Sequence, residues 1–198
     1  MDCHREIPLY EATDDNLVAL LYQPILYDCE VLTLNEFGSF ALSETPGVHN
    51  SISWGNRIPR FVTWADFTTL TGRRFVVLNA HIDGRYGRAE SLELIRRKLG
   101  QFGVPVILVG DFNMYGLNPR VRRLDLLDAS SGRPGGTFTG FGPVGLWRVD
   151  LVLVSREIEV RRSGTIRYRE RGLIPSDHYP VYADIVLPPG NGYERLGR

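Results

Sequence analysis

The 198-residue chain holds only two cysteines, Cys3 and Cys29, a single lysine, Lys98, and no net charge, with 23 acidic side chains against 23 basic ones. Each shortage excludes something. The cysteines lie far apart and form no CxxC pair, so neither a zinc site nor a disulfide framework is expected, and each thiol reads as a small buried group or a surface bystander. Balanced charge leaves no global field to draw the chain onto nucleic acid or an anionic membrane. That counts against a sequence-independent DNA binder, but not against an enzyme whose metal supplies the positive charge. With one lysine, the other basic side chains are arginines; their fork suits phosphate, and a genome's compositional bias produces the same preference. The amino terminus, MDCHREIPLY, lacks an apolar signal core, and no run reaches membrane-spanning length. Read from Met1, the chain is expected in the cytoplasm and away from membranes. There is neither an internal repeat nor a sizeable low-complexity tract.

What is present is 43% hydrophobic and long enough for one domain with a substantial core. The chain is organised around Val104 to Asn113, VPVILVGDFN, an apolar, β-branched run that reads as a buried strand. Alternation along it sends Asp111 and Asn113 to one side, so a carboxylate and a carboxamide emerge together at a strand end. By itself GDFN is equally a strand running into an Asp-rich turn. Residues 1–16 read as an irregular lead-in, 17–187 as the folded domain and 188–198 as a disordered tail. Short strands are expected over Leu17–Tyr22, Ile25–Tyr27 and Glu30–Leu34, followed by a loop from Asn35 to Asn56. Arg60–Leu70 and Arg74–His81 form a hairpin about Thr71 and Gly72, which leaves His81 and Asp83 at a strand end. Arg88–Phe102 is an amphipathic helix, and Asn118–Leu127, with its capping Asn and early Pro, a second. Trp147–Val154 is a strand holding Asp150 inside an apolar run, where an acid needs a partner. Glu159–Tyr168 is an edge-type strand, and Ser176, Asp177 and His178 precede a last one, Pro180–Leu187. Strand, helix and strand in succession give a layered α/β (α+β) arrangement.

Singly, each polar group has a structural explanation: a satisfied core histidine, an acid bridging strands, a capped turn. Together, five strand ends or interiors carry His, Asp, Asp with Asn, Asp, and Asp with His. The motifs NAHID (79–83), GDFN (110–113), RVDLVLVS (148–155) and SDHYPV (176–181) resemble, in order and spacing, those of the endonuclease/exonuclease/phosphatase superfamily, which has the deoxyribonuclease I fold. SETP (43–46), RFVTWA (60–65) and TFTGF (137–141) are similar to a bacterial branch of it. The resemblance implies a four-layer αββα sandwich and hydrolysis of a phosphate ester dependent on Mg²⁺ or Mn²⁺. It implies that Asp111 activates or positions the attacking water, Asn113 holds the phosphate or that water, His178 pairs with Asp150, and His81 lies near the phosphate or leaving group. Asp177 and Asp111 match metal-side carboxylates, while Asn79 and Asp83 come with the NAHID motif as substrate-side residues. Arg57 and Arg60 are either phosphate contacts or plain surface arginines.

One part of the pattern is missing. Members of the family begin with a strand carrying an Asn and a second ending in Gln-Glu, whose Glu is the principal metal ligand; only Glu6 and Glu11 precede Leu17, in a context unlike either strand. The first strands and helix of the amino-terminal half are therefore expected to be absent, leaving a sheet edge to be paired. A mis-set start or fragment, a partner or second copy covering the gap, and a relative that binds phosphate ligands or scaffolds without turnover all account for this.

Overall fold

A computed structural model describes residues 3–7, 23–130, 135–169 and 171–189. Its elements are β1 (His4–Ile7), β2 (Ile25–Asp28), β3 (Leu32–Ala41), β4 (Phe61–Thr69), β5 (Arg74–His81), α1 (Arg88–Leu99), β6 (Val106–Asp111), α2 (Pro119–Arg122), β7 (Leu127–Asp128), β8 (Asp150–Val154), β9 (Glu159–Thr165) and β10 (Val181–Val186). Six strands make one sheet in the order β3-β4-β5-β6-β8-β7. Strands β3, β4 and β5 run as an antiparallel meander, and α1 carries the chain across to β6, which lies parallel to β5. Strand β8 then returns antiparallel to β6.

Alternation assigns the two faces. Val76, Leu78 and Ala80 of β5, Val106 and Leu108 of β6, and Leu151 and Leu153 of β8 pack with Leu92 and Ile95 of α1. Burying each of these valine, leucine and isoleucine side chains stabilises the fold by about 1.5–3 kcal/mol. The opposite face meets two small antiparallel sheets, β1–β2 and β9–β10. Ile7, Ile25 and Tyr27 of the first gather about Ala65, Phe67 and Phe75, while Val152 and Val154 face Val160, Val181 and Ala183 of the second. Ile107 and Leu187 touch both groups. The result is the mixed α/β, deoxyribonuclease I-like architecture, with the helices of the described residues on one outer face.

The structure departs from the sequence expectations in four places. His4–Ile7, read as irregular, is a strand, because it pairs with β2 from His4↔Asp28 to Ile7↔Ile25. The same register sets Cys3 opposite Cys29, and they form a disulfide with Cα atoms 5.3 Å apart, correcting the expectation of two unrelated thiols. Strand β3 continues to Ala41 through the supposed loop: pairing with β4 overrides its Gly and Ser content, with a register shift between Leu34 and Glu36. There Asn35 Nδ2 donates to Asp66 Oδ1 (2.8 Å) and Thr68 Oγ1 (2.9 Å). The second helix shrinks to Pro119–Arg122, capped as expected by Asn118 Oδ1 accepting from the Arg120 N–H (2.9 Å). Beyond it the turn tightens, with the Arg123, Leu124 and Asp125 N–H groups donating three residues back, Asp125 enters the left-handed region at φ 58°, and Leu127 and Asp128 pair with β8. The Leu17–Tyr22 expectation lies outside the described residues, as does most of the carboxyl-terminal tail.

Candidate active site

The registers of three adjacent strands put His81, Asp111 and Asp150 in one row. His81 pairs with Asp111 between β5 and β6, and Asp111 with Asp150 between β6 and β8. By alternation all three share the face of Val109 and Val152, so they point into the layer between the sheets rather than toward α1. Gly110 makes the turn-out possible: at φ 133° it takes a conformation closed to other residues, and a Cβ there would strike the Ala80 carbonyl.

His178 arrives from a different segment, and the TFTGF stretch holds it there. The N–H and Oγ1 of Thr139 donate to the Asp177 carbonyl (2.6 and 2.9 Å), and the Tyr179 N–H donates to the Thr137 carbonyl (2.8 Å). Phe138 meets the His178 ring edge-on, centroids 5.1 Å apart. The fully buried Thr137 Oγ1 accepts from the N–H groups of Val149 and Asp150, both at 3.1 Å. One short segment thus fastens the loop bearing His178 to the start of β8. Sequence reasoning saw these residues only as a family marker; two threonines flanking an aromatic beside a Gly-rich loop were the available signal.

The polar atoms then converge. His178 Nδ1 lies 2.7 Å from Asp150 Oδ2, which assigns the ring proton to Nδ1 and leaves Nε2 facing Asp111 Oδ2 at 4.0 Å. His81 Nε2 is 3.4 Å from the same Asp111 oxygen. Asn113, in the left-handed region at φ 48°, donates its N–H to Asp111 Oδ1 (2.8 Å) and its Nδ2 to the Ile82 carbonyl (2.9 Å) and Asp111 Oδ2 (3.2 Å). Arg60 Nη2 donates to Asp83 Oδ2 (3.3 Å), and Asp83 Oδ1 accepts from the N–H groups of Arg85 and Tyr86. Asn79 Nδ2 donates to the Pro24 carbonyl (3.0 Å), tying β5 to the β1–β2 layer. Arg57 is exposed, and the Asp177 carboxylate stands outside the converging group, acting on His178 through its charge. Arg88, not singled out from sequence, reaches the Asn113 carbonyl at 3.5 Å.

Electrostatics separates the roles of these groups. Burial, with the neighbouring Asp150 charge, raises the Asp111 carboxyl to about 6, against the lowering effect of the Asn113 N–H. Burial, then Arg60 and His178, lowers His81 to about 4, so its imidazole is neutral near pH 7. Burial also disfavours imidazolium at His178, but the hydrogen bond and charge of Asp150, with Asp111 and Asp177, outweigh it and raise its pKa. Ligand atoms of Asp111, Asp150 and His178 lie within 4.8 Å of one another. Two carboxylates and an imidazole held that close, one acid strained upward by burial, suit a divalent cation.

Residues 10–178 match the family model described as the endonuclease/exonuclease/phosphatase family. No curated protein matches. Among solved structures, an endonuclease/exonuclease/phosphatase family protein from Bacteroides thetaiotaomicron is 32% identical, with TM-score 0.76 over 83% of this chain and 69% of that one. A mannosyl-6-phosphatase of the same organism is 31% identical, with TM-score 0.73 over 83% and 70%. The human Nocturnin catalytic domain, with bound sulfate, is 16% identical at TM-score 0.64 over 83% and 63%, a likeness of fold alone.

Proposed function

The chain belongs to the endonuclease/exonuclease/phosphatase family, and from that premise we propose that it hydrolyses phosphate esters with a divalent cation, Mg²⁺ or Mn²⁺. The observation that carries this reading is the row of His81, Asp111 and Asp150 on neighbouring strands, closed by His178 from a separate segment. The cation, held through Asp111 and Asp150 with Asp177 nearby, would neutralise phosphoryl oxygens and make a bound water more acidic. The remaining work falls to the chain's own side chains. Asp111, aimed into the site at the end of β6, is placed to position an attacking water beside the cation; the metal-free carboxyl, raised to about 6 by burial, gains by having positive charge next to it. Asn113 Nδ2, whose two N–H groups go to the Ile82 carbonyl and Asp111 Oδ2, fixes the carboxylate that holds the water. His178, oriented by Asp150 and with its imidazolium form favoured by that carboxylate, is directed at the phosphate. His81 stays neutral and hydrogen-bonds the phosphate or the leaving oxygen. Arg60, largely buried between Asp83 and the row, contributes a fixed positive charge for the same phosphate.

Hydrolysis of mono- and bis-p-nitrophenyl phosphate tests the reading. Release of nitrophenol is expected with Mg²⁺ or Mn²⁺ and is expected to fall by 10² or more in Asp111→Ala and His178→Ala. No turnover with any divalent ion overturns it in favour of phosphate-ligand binding without catalysis. Plasmid and single-stranded DNA left intact would remove the nuclease variant, which balanced charge already makes the weaker form.

A further inference from the structure

Two loops, 51–57 and 82–88, lock together beside Asn113. Gly87 sits at φ 58°, and the place of its missing Cβ lies 3.0 Å from Trp54 Cβ; Gly55 sits at φ 82°, with the Tyr86 ring 3.5 Å from the corresponding point. Gly84 leaves similar room for Asn113 Oδ1, 3.1 Å away. Asp83 sets the turn by accepting from the N–H groups of Arg85 (2.8 Å) and Tyr86 (3.0 Å), and Arg60 holds its other oxygen. This geometry lays the Arg85 guanidinium over the Tyr86 ring, 5.3 Å from its centroid.

Arg85 is exposed and has no carboxylate partner among the described residues, and the same holds for Arg57 on the other loop. Other arginines are engaged by acids: Arg96 and Arg97 pair with Glu93, Arg148 with Asp128, Arg156 with Asp125 and Arg162 with Asp184. Arg60 is the arginine whose charge bears on both His81 and Asp111, so it serves the reacting phosphate. Arg85 and Arg57 stand on the two interlocked loops, the first of them one residue from the Gly84 that packs on Asn113. A guanidinium already stacked on a ring loses less freedom when an anion docks, and its fork matches phosphate oxygens.

We propose that Arg85, stacked on Tyr86 and supported by Arg57 on the facing loop, forms a second anion subsite, so that the preferred substrate carries a further phosphate beside the one hydrolysed. The inference rests on the phosphoesterase reading and names its substrate class. Fructose 1,6-bisphosphate and fructose 6-phosphate serve as probes, compared by calorimetric titration in the presence of Ca²⁺ and by phosphate release with Mg²⁺. Wild-type protein is expected to bind the bisphosphate about tenfold more tightly than the monophosphate. Arg85→Gln is expected to bring that ratio to within about twofold, and Arg85→Lys, which keeps the charge, to retain part of it. The readout is a ratio, so a general loss of folding or of metal binding, which weakens both ligands, does not imitate the effect. Equal binding in the wild type, or an undiminished preference in Arg85→Gln, overturns the subsite while nitrophenyl phosphate hydrolysis leaves the activity standing. Absence of both binding and hydrolysis overturns the subsite and the activity together.

Discussion

Asp111 and Asp150 face each other across the β6–β8 pairing, and holding two carboxylates so close costs stability unless something positive lies between them. The Asp111 carboxyl, raised to about 6, binds protons in the fold that the unfolded chain has released. Stability therefore falls as pH rises through the interval from the ordinary carboxylate value to about 6. Asp111→Asn keeps the shape and removes the charge. It is expected to stabilise the metal-free protein at pH 7.5 by on the order of 1–3 kcal/mol in urea unfolding, while abolishing hydrolysis. The two histidines titrate in opposite directions. His178, raised by Asp150, contributes stability that is present below pH 6.5 and lost as pH climbs through its folded value. His81, lowered to about 4, works the other way, and its share is lost as pH falls from 6.5 toward 4. Imidazole NMR on metal-free protein is expected to resolve one titration above the ordinary histidine value and one near 4. In Asp150→Asn the first is expected to move down, because burial then acts with less opposition.

At the scale of elements, the site depends on a segment with no regular structure. Thr137 and Thr139 hold the loop carrying His178 against β8, so the Asp150–His178 pair is a property of that junction as well as of the two residues. Thr137→Val removes the oxygen that accepts from the Val149 and Asp150 N–H groups. The change is expected to cost about 1–3 kcal/mol by urea unfolding and to lower kcat with little effect on KM, since it displaces a catalytic pair rather than a binding group. Much at this scale was legible beforehand. The β4–β5 hairpin, α1 and β6 carry strong period-2 or period-3.6 patterns, and each lies close to its expected bounds. What failed were the bounds of two elements: β3 beyond Leu34 follows strand pairing that no local pattern announces, and the short α2 gives way to a tightened turn before β7 pairs with β8.

At the scale of the molecule, the β1–β2 layer lies far from α1 yet bears on the site, because the Pro24 carbonyl that leads into β2 accepts from Asn79, one alternation behind His81. The Cys3–Cys29 disulfide closes that layer across a separation of 26 residues. Chain-entropy reasoning gives such a loop about 3 kcal/mol, so reduction is expected to lower Tm by about 5–10 °C in a scan with and without a phosphine reductant. Among the described residues no helix is long and apolar enough to cross a membrane.

The sequence by itself determined the alternation of the central strands, the amphipathic helix between them and the residue types of the site, because these follow from local periodicity and from motifs a few residues long. The tertiary structure alone decided that His81, Asp111 and Asp150 share a row, that Cys3 meets Cys29, and that Arg85 rests on Tyr86. Strand register and loop docking are set by contacts between residues distant in the chain, and a linear pattern does not encode which of them will meet.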